Sequence, residues 1–408
     1  MITLKERNRM KENSKIKSHI IMFISLQLIW FVPDACGQTQ ELYQNNNASI
    51  DWDIVLIEFQ RFLNHPCQKE TKLFLATLPN DKAKLEIGDK ENFLHLLAGW
   101  EYHILSNEIR LGNRPAVEAA FRLLNILEPQ SQAEICIDLS HLIRINPQLF
   151  LELAHKYKDS YFIRREGFPV SLFIPAYEQR LMARIYELEM RMRALGQINI
   201  DEIEETKVAC LEVLNSNLEI LRTNPKVRNI LNKSSKYRIL KKDVSKIDKG
   251  SIEKASEAFI EYPSLDNAKD LRDSFPKAPE IPRIAFTPID LQGDYWILDY
   301  EALTGNRFAA EVICRLINYA DGIAGQQYYS TLGQLIRTNP RLFLQIIKDN
   351  EELSLASESS RGYGIEYNYF EGAIMCIYEA RIQALQSVDD PDLLEIRNAC
   401  ISYLQQSK

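Results

Sequence analysis

Two short runs of charged residues in this chain have the composition and spacing of a binding surface. Each run sets two arginines, a glutamate and an asparagine at steps of four, four and three residues, so all four side chains share one stripe of a helix. The residues are Arg114, Glu118, Arg122 and Asn125 in the first run, and Arg307, Glu311, Arg315 and Asn318 in the second. Such stripes can form ion pairs that lock neighbouring helices, or line a groove that binds a partner. We treat the eight residues as candidate binding residues.

Histidine and nucleophile patterns indicate no catalytic centre. All six histidines lie in the first 155 residues, and no HExxH or other helical ligand pair occurs among them. The sequence also has no G-x-S-x-G elbow, no P-loop and no dinucleotide-binding glycine motif. We therefore predict a protein with no metal, no cofactor and no catalytic activity.

One class of enzyme stays compatible with the sequence. Helical hairpins build toroidal hydrolases and lyases for carbohydrates, which need only one or two carboxylates beside aromatic rings that stack on sugars. Candidate segments are Trp100-Glu101-Tyr102 and Asp294-Tyr295-Trp296, although aromatic residues at helical spacing are also typical of a core. This alternative predicts a deep pocket lined by carboxylates and aromatic rings.

The first 37 residues have the pattern of a secretory signal peptide. A basic start precedes the apolar segment 19–32, which is too short to cross the ~30 Å hydrocarbon core of a bilayer. The small residues Ala35 and Gly37 permit cleavage before Gln38. Cys36 offers an alternative, since a lipoprotein is cleaved before a cysteine that then receives lipid. We expect an exported protein, periplasmic or extracellular, with lipid anchoring at Cys36 as the alternative; a buried helix of a cytosolic protein is the other interpretation.

The six cysteines after Cys36 do not have the spacing of a redox or zinc site. Their even number permits disulfides in an exported chain, but a chain of this length does not require them. Cys210 and Cys400 lie at equivalent places on apolar helix stripes, so we expect both to be small buried residues.

The candidate binding residues lie within a segment that occurs twice in the sequence. Residues 112–157 and 305–350 align without a gap, and 17 of the 46 positions are identical. The match extends to Tyr186-Glu187 and Tyr378-Glu379. Gly112 and Gly305 are predicted to end a helix in the left-handed conformation. Repetition on this scale is typical of stacked helical units.

Most of the repeated polar residues mark where helices start and stop. Asn113 and Asn306 are expected to cap the next helix through their side-chain oxygens. The sequences Asn146-Pro147 and Asn339-Pro340 combine an N-cap residue with proline at the first helical position. The preceding arginines, Arg144 and Arg337, are expected to face the negative end of their own helix dipole.

The spacing of apolar residues predicts an all-α fold. We expect a duplicated array of antiparallel helical hairpins, an α-solenoid analogous in architecture to HEAT and armadillo repeats. The expected organisation is a signal peptide over 1–37, a first helical half over 38–225, a basic and proline-containing connector over 226–290, and a second half over 291–408. From residue 262 to 290 we expect extended chain, because prolines cluster there.

The connector also carries the main basic patch, residues 226–254. It is expected to be a solvated linker or to contact an anionic surface of the cell envelope. The whole chain is acidic, with a net charge of −7, which argues against nucleic acid as a partner. Together these observations predict a non-catalytic, exported helical-repeat protein that acts as a binding or scaffolding module with a protein partner.

Overall fold

The computed structural model describes residues 51–78, 101–127, 129–158, 180–225, 249–275, 295–317, 322–350 and 371–407, with Phe93, Leu97 and Val227. All of them belong to one compact unit, Ala48–Lys408. Within these ranges the secondary structure is α-helix and 3-10 helix with no strand, so the all-α prediction is confirmed. No helix in this part of the chain has the length and hydrophobicity to cross a membrane.

Eight α-helices are described before residue 226 and eight after residue 248. The first eight are α1 (Trp52–Asn64), α2 (Gln68–Thr77), α3 (Tyr102–Arg110), α4 (Arg114–Ile126), α5 (Pro129–Ile145), α6 (Pro147–Lys156), α7 (Leu181–Gly196) and α8 (Glu204–Thr223). The second eight are α9 (Lys249–Glu261), α10 (Leu265–Ser274), α11 (Tyr295–Leu303), α12 (Arg307–Ile317), α13 (Gly322–Thr338), α14 (Pro340–Asp349), α15 (Glu371–Gln386) and α16 (Leu394–Gln406). Helices α5 and α6 have the same lengths as α13 and α14, at the sequence offset of the repeated segment.

Most of the predicted helix ends are formed as the sequence indicates. Gly112 and Gly305 have φ angles of 74° and 95°, in the left-handed region that glycine adopts without strain. Asn146 Oδ1 accepts a hydrogen bond from Leu149 N at 3.2 Å, which caps α6. Asn339 caps α14 in the same way, and the N–O distance there is 3.1 Å.

The prediction for Asn113 is wrong, whereas that for Asn306 is confirmed. Asn306 Oδ1 accepts from Ala309 N at 3.3 Å, but Asn113 caps nothing and donates its amide to Glu108 at 2.8 Å. Pro115, at the second position of α4, has no N–H, but the third position, whose N–H Asn306 uses in α12, is Ala116 in α4 and keeps its N–H, so the proline does not account for the missing cap.

Two helices form where the sequence analysis expects none. Residues 68–77 form α2, and residues 265–274 form α10 inside the segment that we expected to be extended. Ser264 caps α10 through Asn267 N at 3.2 Å, and Leu271 and Phe275 are buried. Apart from Pro263, which precedes the cap, the prolines of this segment lie beyond residue 275. The expectation of extended chain is therefore wrong for 265–274, and beyond residue 275 it concerns residues that the structure does not describe.

The core follows the apolar stripes of the helices. One buried cluster is built by residues of the first eight helices, and a second is built almost entirely by residues of the last eight. On α4 the stripe of Ala116, Ala120 and Leu123 is fully buried, as its spacing predicts. A third, small cluster joins α7 and α8 to Tyr262 after α9. The polar stripes therefore lie on helices whose opposite side is fixed in a core.

Candidate functional site

The inner arginine of each stripe caps a neighbouring helix. Arg122 on α4 donates through Nη1 to the carbonyl oxygens of Leu75 and Leu78, at 3.0 and 2.8 Å. Arg315 on α12 donates to the carbonyl oxygen of Phe275 at 2.6 Å and to that of Arg272. These carbonyls end α2 and α10, where backbone acceptors have no partner within the helix. The guanidinium groups therefore hold α2 to α4 and α10 to α12.

The glutamates of the stripes have partners on neighbouring helices. Glu118 accepts from Lys156 Nζ at 2.5 Å and from Tyr157 OH at 2.9 Å. Glu311 accepts from Arg272 and Arg307, both at 2.7 Å. Burial acts to raise the pKa of both carboxyls, but these hydrogen bonds outweigh it and bring each pKa below its ordinary value. Both side chains are therefore held as carboxylates.

The outer arginines are the accessible part of the stripes. The side chain of Arg114 is 58% exposed and pairs with Glu152 at 2.7 Å, and that of Arg307 is 47% exposed and pairs with Asp349. At the other end Asn125 is buried and donates to the carbonyl of Phe121 at 3.5 Å. The fourth residue of the second stripe, Asn318, lies outside the described residues. The binding role stays a prediction, and the stripe residues most accessible to a partner are Arg114 and Arg307.

A second set of repeated residues joins the first eight helices, from here on the first half, to the last eight, the second half. Arg144 Nη1 and Nη2, at the end of α5, donate to the two carboxylate oxygens of Glu301 on α11 at 2.5 and 3.1 Å. Arg337, at the end of α13, donates to both oxygens of Glu108 on α3 at 2.6 and 2.8 Å. Each residue of one pair lies 193 positions from its counterpart in the other. The two ion pairs are therefore reciprocal: each half supplies the arginine of one and the glutamate of the other.

These pairs are buried and forked, which is the strong geometry for arginine and carboxylate. Side-chain exposure is 6% for Arg144 and 0% for Glu301, and 12% and 2% for Arg337 and Glu108. Burial raises the pKa of Glu301 in spite of the lowering effect of Arg144. A buried charge without its partner is costly, so each arginine depends on the glutamate of the other half.

Glu187 on α7 extends the junction on one side. It accepts from Arg144 at 2.6 Å, from Arg191 at 2.8 Å and from Tyr300 OH at 2.7 Å. The guanidinium carbon of Arg144 lies 5.1 Å from the ring centroid of Tyr300. First-half and second-half residues therefore share one polar cluster.

The counterpart of α7 in the second half is α15, and the helix bounds set the two in register at an offset of 190. That register matches Arg191 with Arg381, both 1% exposed. It places Ile377 at the position of Glu187, so the sequence match of Tyr186-Glu187 with Tyr378-Glu379 is two residues out of register. The second half thus has a buried arginine, Arg381, at the position of Arg191, and isoleucine in place of Glu187.

The aromatic residues of the carbohydrate-enzyme alternative are engaged inside the protein. Tyr102 OH donates to Asp138 at 2.5 Å, and Tyr295 OH lies 2.5 Å from Thr331 Oγ1. Burial and the neighbouring carboxylates raise the pKa of both phenols. Trp100 and Asp294 lie outside the described residues. The hydroxyls of the described tyrosines therefore bond to side chains of neighbouring helices within the protein.

Among the residues that the structure describes, no group of three His, Cys, Asp or Glu side chains could hold a metal ion. Cys210 and Cys400 are both fully buried, as predicted, and burial raises the pKa of Cys210 to about 12. Their thiols are packing groups of the core.

Several predictions fall on residues that the structure does not describe. The signal peptide, residues 1–37, is one of them, as is lipidation of Cys36. Most of the basic run 226–254 is another, with Val227 and residues 249–254 as the described exceptions. Contact of that run with an anionic envelope surface stays a prediction.

The reciprocal glutamates are the residues that the sequence analysis missed. Glu108 and Glu301 stand 193 positions apart, at the offset of the repeated segment, and just before its first glycine. A carboxylate repeated four residues before each left-handed glycine was the signal available. The arginine that pairs with each glutamate could not be predicted from the sequence, because Arg144 and Glu301, for example, are 157 residues apart in the chain. Comparison of the chain with protein-family models, with curated proteins and with solved structures finds no match in any of the three.

Proposed function

We propose that this protein is a tandem duplication of an eight-helix unit and serves as a non-catalytic, exported scaffold that binds a protein partner. The observation that carries the proposal is the use of the repeated polar residues. The described members of both stripes and of both Arg–Glu pairs bond to other parts of the same chain, mostly across helix boundaries. What the duplication has kept is therefore a rigid framework with two equivalent outer surfaces.

Reciprocity of the ion pairs supports a two-fold arrangement of the halves. In end-to-end stacking, one face of the first unit meets a different face of the second, so a contact occurs once. In an isologous arrangement the same surfaces meet, and each contact occurs twice with the roles exchanged. The pairs Arg144–Glu301 and Arg337–Glu108 have that second form. We therefore propose helical hairpins stacked within each half and two halves that pack as a pseudo-dimer.

Contacts between other helices support the same arrangement. Helix α1 of the first half contacts α15 of the second, and α9 of the second half contacts α7 of the first. Exchanging the two halves turns one of these contacts into the other. Helices α1 and α9 each precede the repeated segment of their own half, and α7 and α15 each follow it. Buried contacts at several points would hold the two outer surfaces at a fixed separation, which is the property that a scaffold requires.

The outer ends of the stripes are the proposed binding residues. Arg114 and Arg307 are the exposed members, and their pairs with Glu152 and Asp349 lie at the surface. An exposed ion pair contributes only ~0.2–1 kcal/mol to stability, so the framework does not depend on it. Two exposed guanidinium groups on equivalent helices suit a partner that carries two carboxylate-rich sites.

The test compares two double variants in the native cells. Arg114→Ala/Arg307→Ala removes both outer arginines, and Arg61→Ala/Arg341→Ala removes two other exposed arginines with the same change in charge. Exported protein is crosslinked in place, and its adducts are identified and quantified by mass spectrometry. We expect the first variant to lose at least about 10-fold of one specific adduct, equivalent to ~1.4 kcal/mol of binding energy, and the second to retain it.

Thermal unfolding of both variants provides the control for folding. Melting temperatures close to that of the wild type are expected, because both arginines are exposed and Glu311, which loses Arg307, keeps its bond from Arg272. Equal adduct yields from both variants would contradict the binding proposal. Full recovery of the protein in the cytosol would contradict export while leaving the pseudo-dimer untouched.

A further inference from the structure

Two of the six cysteines in the described part of the chain differ from the rest in position. Cys67 precedes α2 and Cys376 lies in α15, and both are partly accessible. The others are buried in the helical cores: Cys136, Cys210, Cys314 and Cys400. Accessibility to a redox partner is therefore confined, within the described ranges, to one cysteine of each half.

The backbone brings these two cysteines together. Helix α15 contacts α1, and the contact is tight at Gly372, where an added Cβ would overlap the His65 ring and lie 2.8 Å from the carbonyl oxygen of Asn64. Cys376 is one helical turn beyond Gly372 on the same face. Cys67 lies two residues after His65. A glycine at the crossing thus allows the turn between α1 and α2 to rest on α15.

The side chains meet across this contact. The thiols of Cys67 and Cys376 are hydrogen-bonded to each other, and the Cys67 thiol also contacts the carboxylate of Glu70. Sulfurs in such contact need to approach by only ~2 Å to reach the disulfide bond length of about 2.05 Å. Rotation of the two cysteine side chains about their Cα–Cβ bonds can supply that movement.

We infer that Cys67 and Cys376 form a disulfide that ties the first half of the protein to the second. The bond is independent of the partner proposed above. It would close a loop containing most of the described chain, and it would add a covalent link at the contact of α1 with α15. The pseudo-symmetric contact of α7 with α9 has Tyr186 and Tyr262 instead, with ring centroids 5.1 Å apart.

The oxidant is an external disulfide, either oxidised glutathione or the disulfide of a thiol oxidoreductase. The Cys67 thiol loses its proton to solvent, and the thiolate attacks one sulfur of the external disulfide and releases its other sulfur as a thiol. The Cys376 thiolate then attacks the Cys67 sulfur of the mixed disulfide and releases the second external thiol. Two protein thiols are oxidised, and one external disulfide is reduced to two thiols.

The order of attack follows from the surroundings of Cys376. Burial, and next to it the contact with Cys67, raise the pKa of Cys376 to about 12. Its thiolate is therefore scarce at neutral pH. Cys67 is the first nucleophile, and Cys376 acts as the resolving thiol because it already touches the sulfur that it must attack. The reaction should accelerate as pH rises.

Serine at position 67 is a suitable replacement. Ser264 stands before α10 as Cys67 stands before α2, and it caps that helix with its hydroxyl. Cys67→Ser is therefore expected to fold. Cys376→Ser provides the second variant from the opposite half, and Cys36→Ser is the matched control because it leaves the proposed pair intact.

The experiment uses the purified full chain, which contains seven cysteines. Protein is incubated at pH 8 with oxidised glutathione, quenched and denatured, and its free thiols are counted and its disulfide peptides mapped by mass spectrometry. We expect two thiols to disappear from the wild type and from Cys36→Ser, with Cys67 linked to Cys376. In Cys67→Ser and Cys376→Ser no such link can form, and the wild-type loss of two thiols should be absent.

Thermal unfolding gives a second readout. Oxidised wild-type protein should melt about 5 °C or more above the reduced protein, since closing a long loop restricts the unfolded chain. This difference should vanish in both serine variants. Seven free thiols after oxidation of folded wild-type protein would overturn the inference, as would a disulfide mapped to a different pair. Failure of the crosslinking test above would leave this result unaffected.

Discussion

The two ends of the inter-half junction use the same ion pair in different surroundings. Arg144 binds Glu301 of the other half and also Glu187, which in turn accepts from Arg191. Arg337 binds Glu108, but Ile377 stands at the position of Glu187. The reciprocal Arg–Glu pair is present at both ends, whereas a carboxylate at the position of Glu187 is present only in α7.

This difference indicates which part of the junction the fold requires. Removing either partner of a buried pair leaves a charge in a low-dielectric interior, so a change at one position must be matched at the other. A carboxylate at the edge of the cluster is less constrained, because a residue of suitable volume can fill its place. Under the proposed duplication, the surrounding residues are therefore expected to differ between the halves more readily than the cross-half pairs.

The largest effect is expected from removing the arginine at each end. Arg144→Met should lower the free energy of unfolding by ~3–5 kcal/mol, since Glu301 loses its forked partner and Glu187 one of its donors. Arg337→Met should cost about 3 kcal/mol, at the lower end of that range, because Ile377 adds no second carboxylate. Urea unfolding followed by circular dichroism measures both. An equal or larger loss for Arg337→Met would break the comparison.

A second, smaller effect concerns the residue that faces the buried arginine. Ser140 on α5 accepts from Arg191 at 3.2 Å, and the equivalent residue on α13 is Gly333. A Cβ at Gly333 would lie 2.7 Å from Cζ of Arg381, which is almost fully buried. Gly333→Ala should therefore lower stability by ~1–2 kcal/mol through overpacking, although alanine normally favours a helix.

Gly196 is the matched control for this substitution. It ends α7, and a Cβ there would meet nothing within 4 Å. Gly196→Ala should leave stability unchanged within ~0.5 kcal/mol or raise it slightly. The comparison uses the same urea unfolding curves. If Gly333→Ala stabilised the protein as much as Gly196→Ala, the close packing of Arg381 would be refuted.

The smallest effect is a pH dependence confined to the second half. Asp299 on α11 is half-buried and accepts from Thr331, and the equivalent residue on α3 is Ser106. Burial raises the pKa of Asp299 above its ordinary value of 3.8. Its contribution to stability is thus fully present below pH 3.8 and is lost as pH rises through the higher pKa of the folded state.

Asp299→Asn should remove this contribution while keeping the shape and an oxygen acceptor. The melting temperature of the wild type, relative to Asp299→Asn, is expected to fall as pH is raised from about 3.8 towards neutrality. Measurement of both proteins over this range isolates the one carboxyl. A difference that stays constant, or that grows in favour of the wild type, would show that Asp299 is not the source.

The sequence predicted those features that depend on near neighbours in the chain. The left-handed glycines at 112 and 305 and the asparagine caps at 146 and 339 are set by interactions within a few residues. The cap at Asn113 was predicted wrongly, because its side chain bonds to Glu108 and not to the backbone of α4. Helices α2 and α10 were also missed, since their ends are held partly by Arg122 and Arg315 from other helices.

The role of the polar stripes could be predicted only as two alternatives. Spacing shows that Arg114, Glu118 and Arg122 share a side of α4, but it does not say what packs against that side. In the structure Arg122 reaches the end of α2, whereas Arg114 stays largely exposed. One stripe thus contains a structural arginine and an accessible one, a distinction that burial decides.

The sequence by itself determined that this protein is helical, and it located several helix ends, among them the left-handed glycines at 112 and 305 and the asparagine caps at 146 and 339. Tertiary structure decided which charges meet. Arg337 and Glu108 are 229 residues apart, and nothing local to either one selects the other. Helix ends are governed by backbone geometry over a few residues, whereas a buried ion pair depends on where whole helices pack, so only the assembled halves make the two arginines and two glutamates reciprocal.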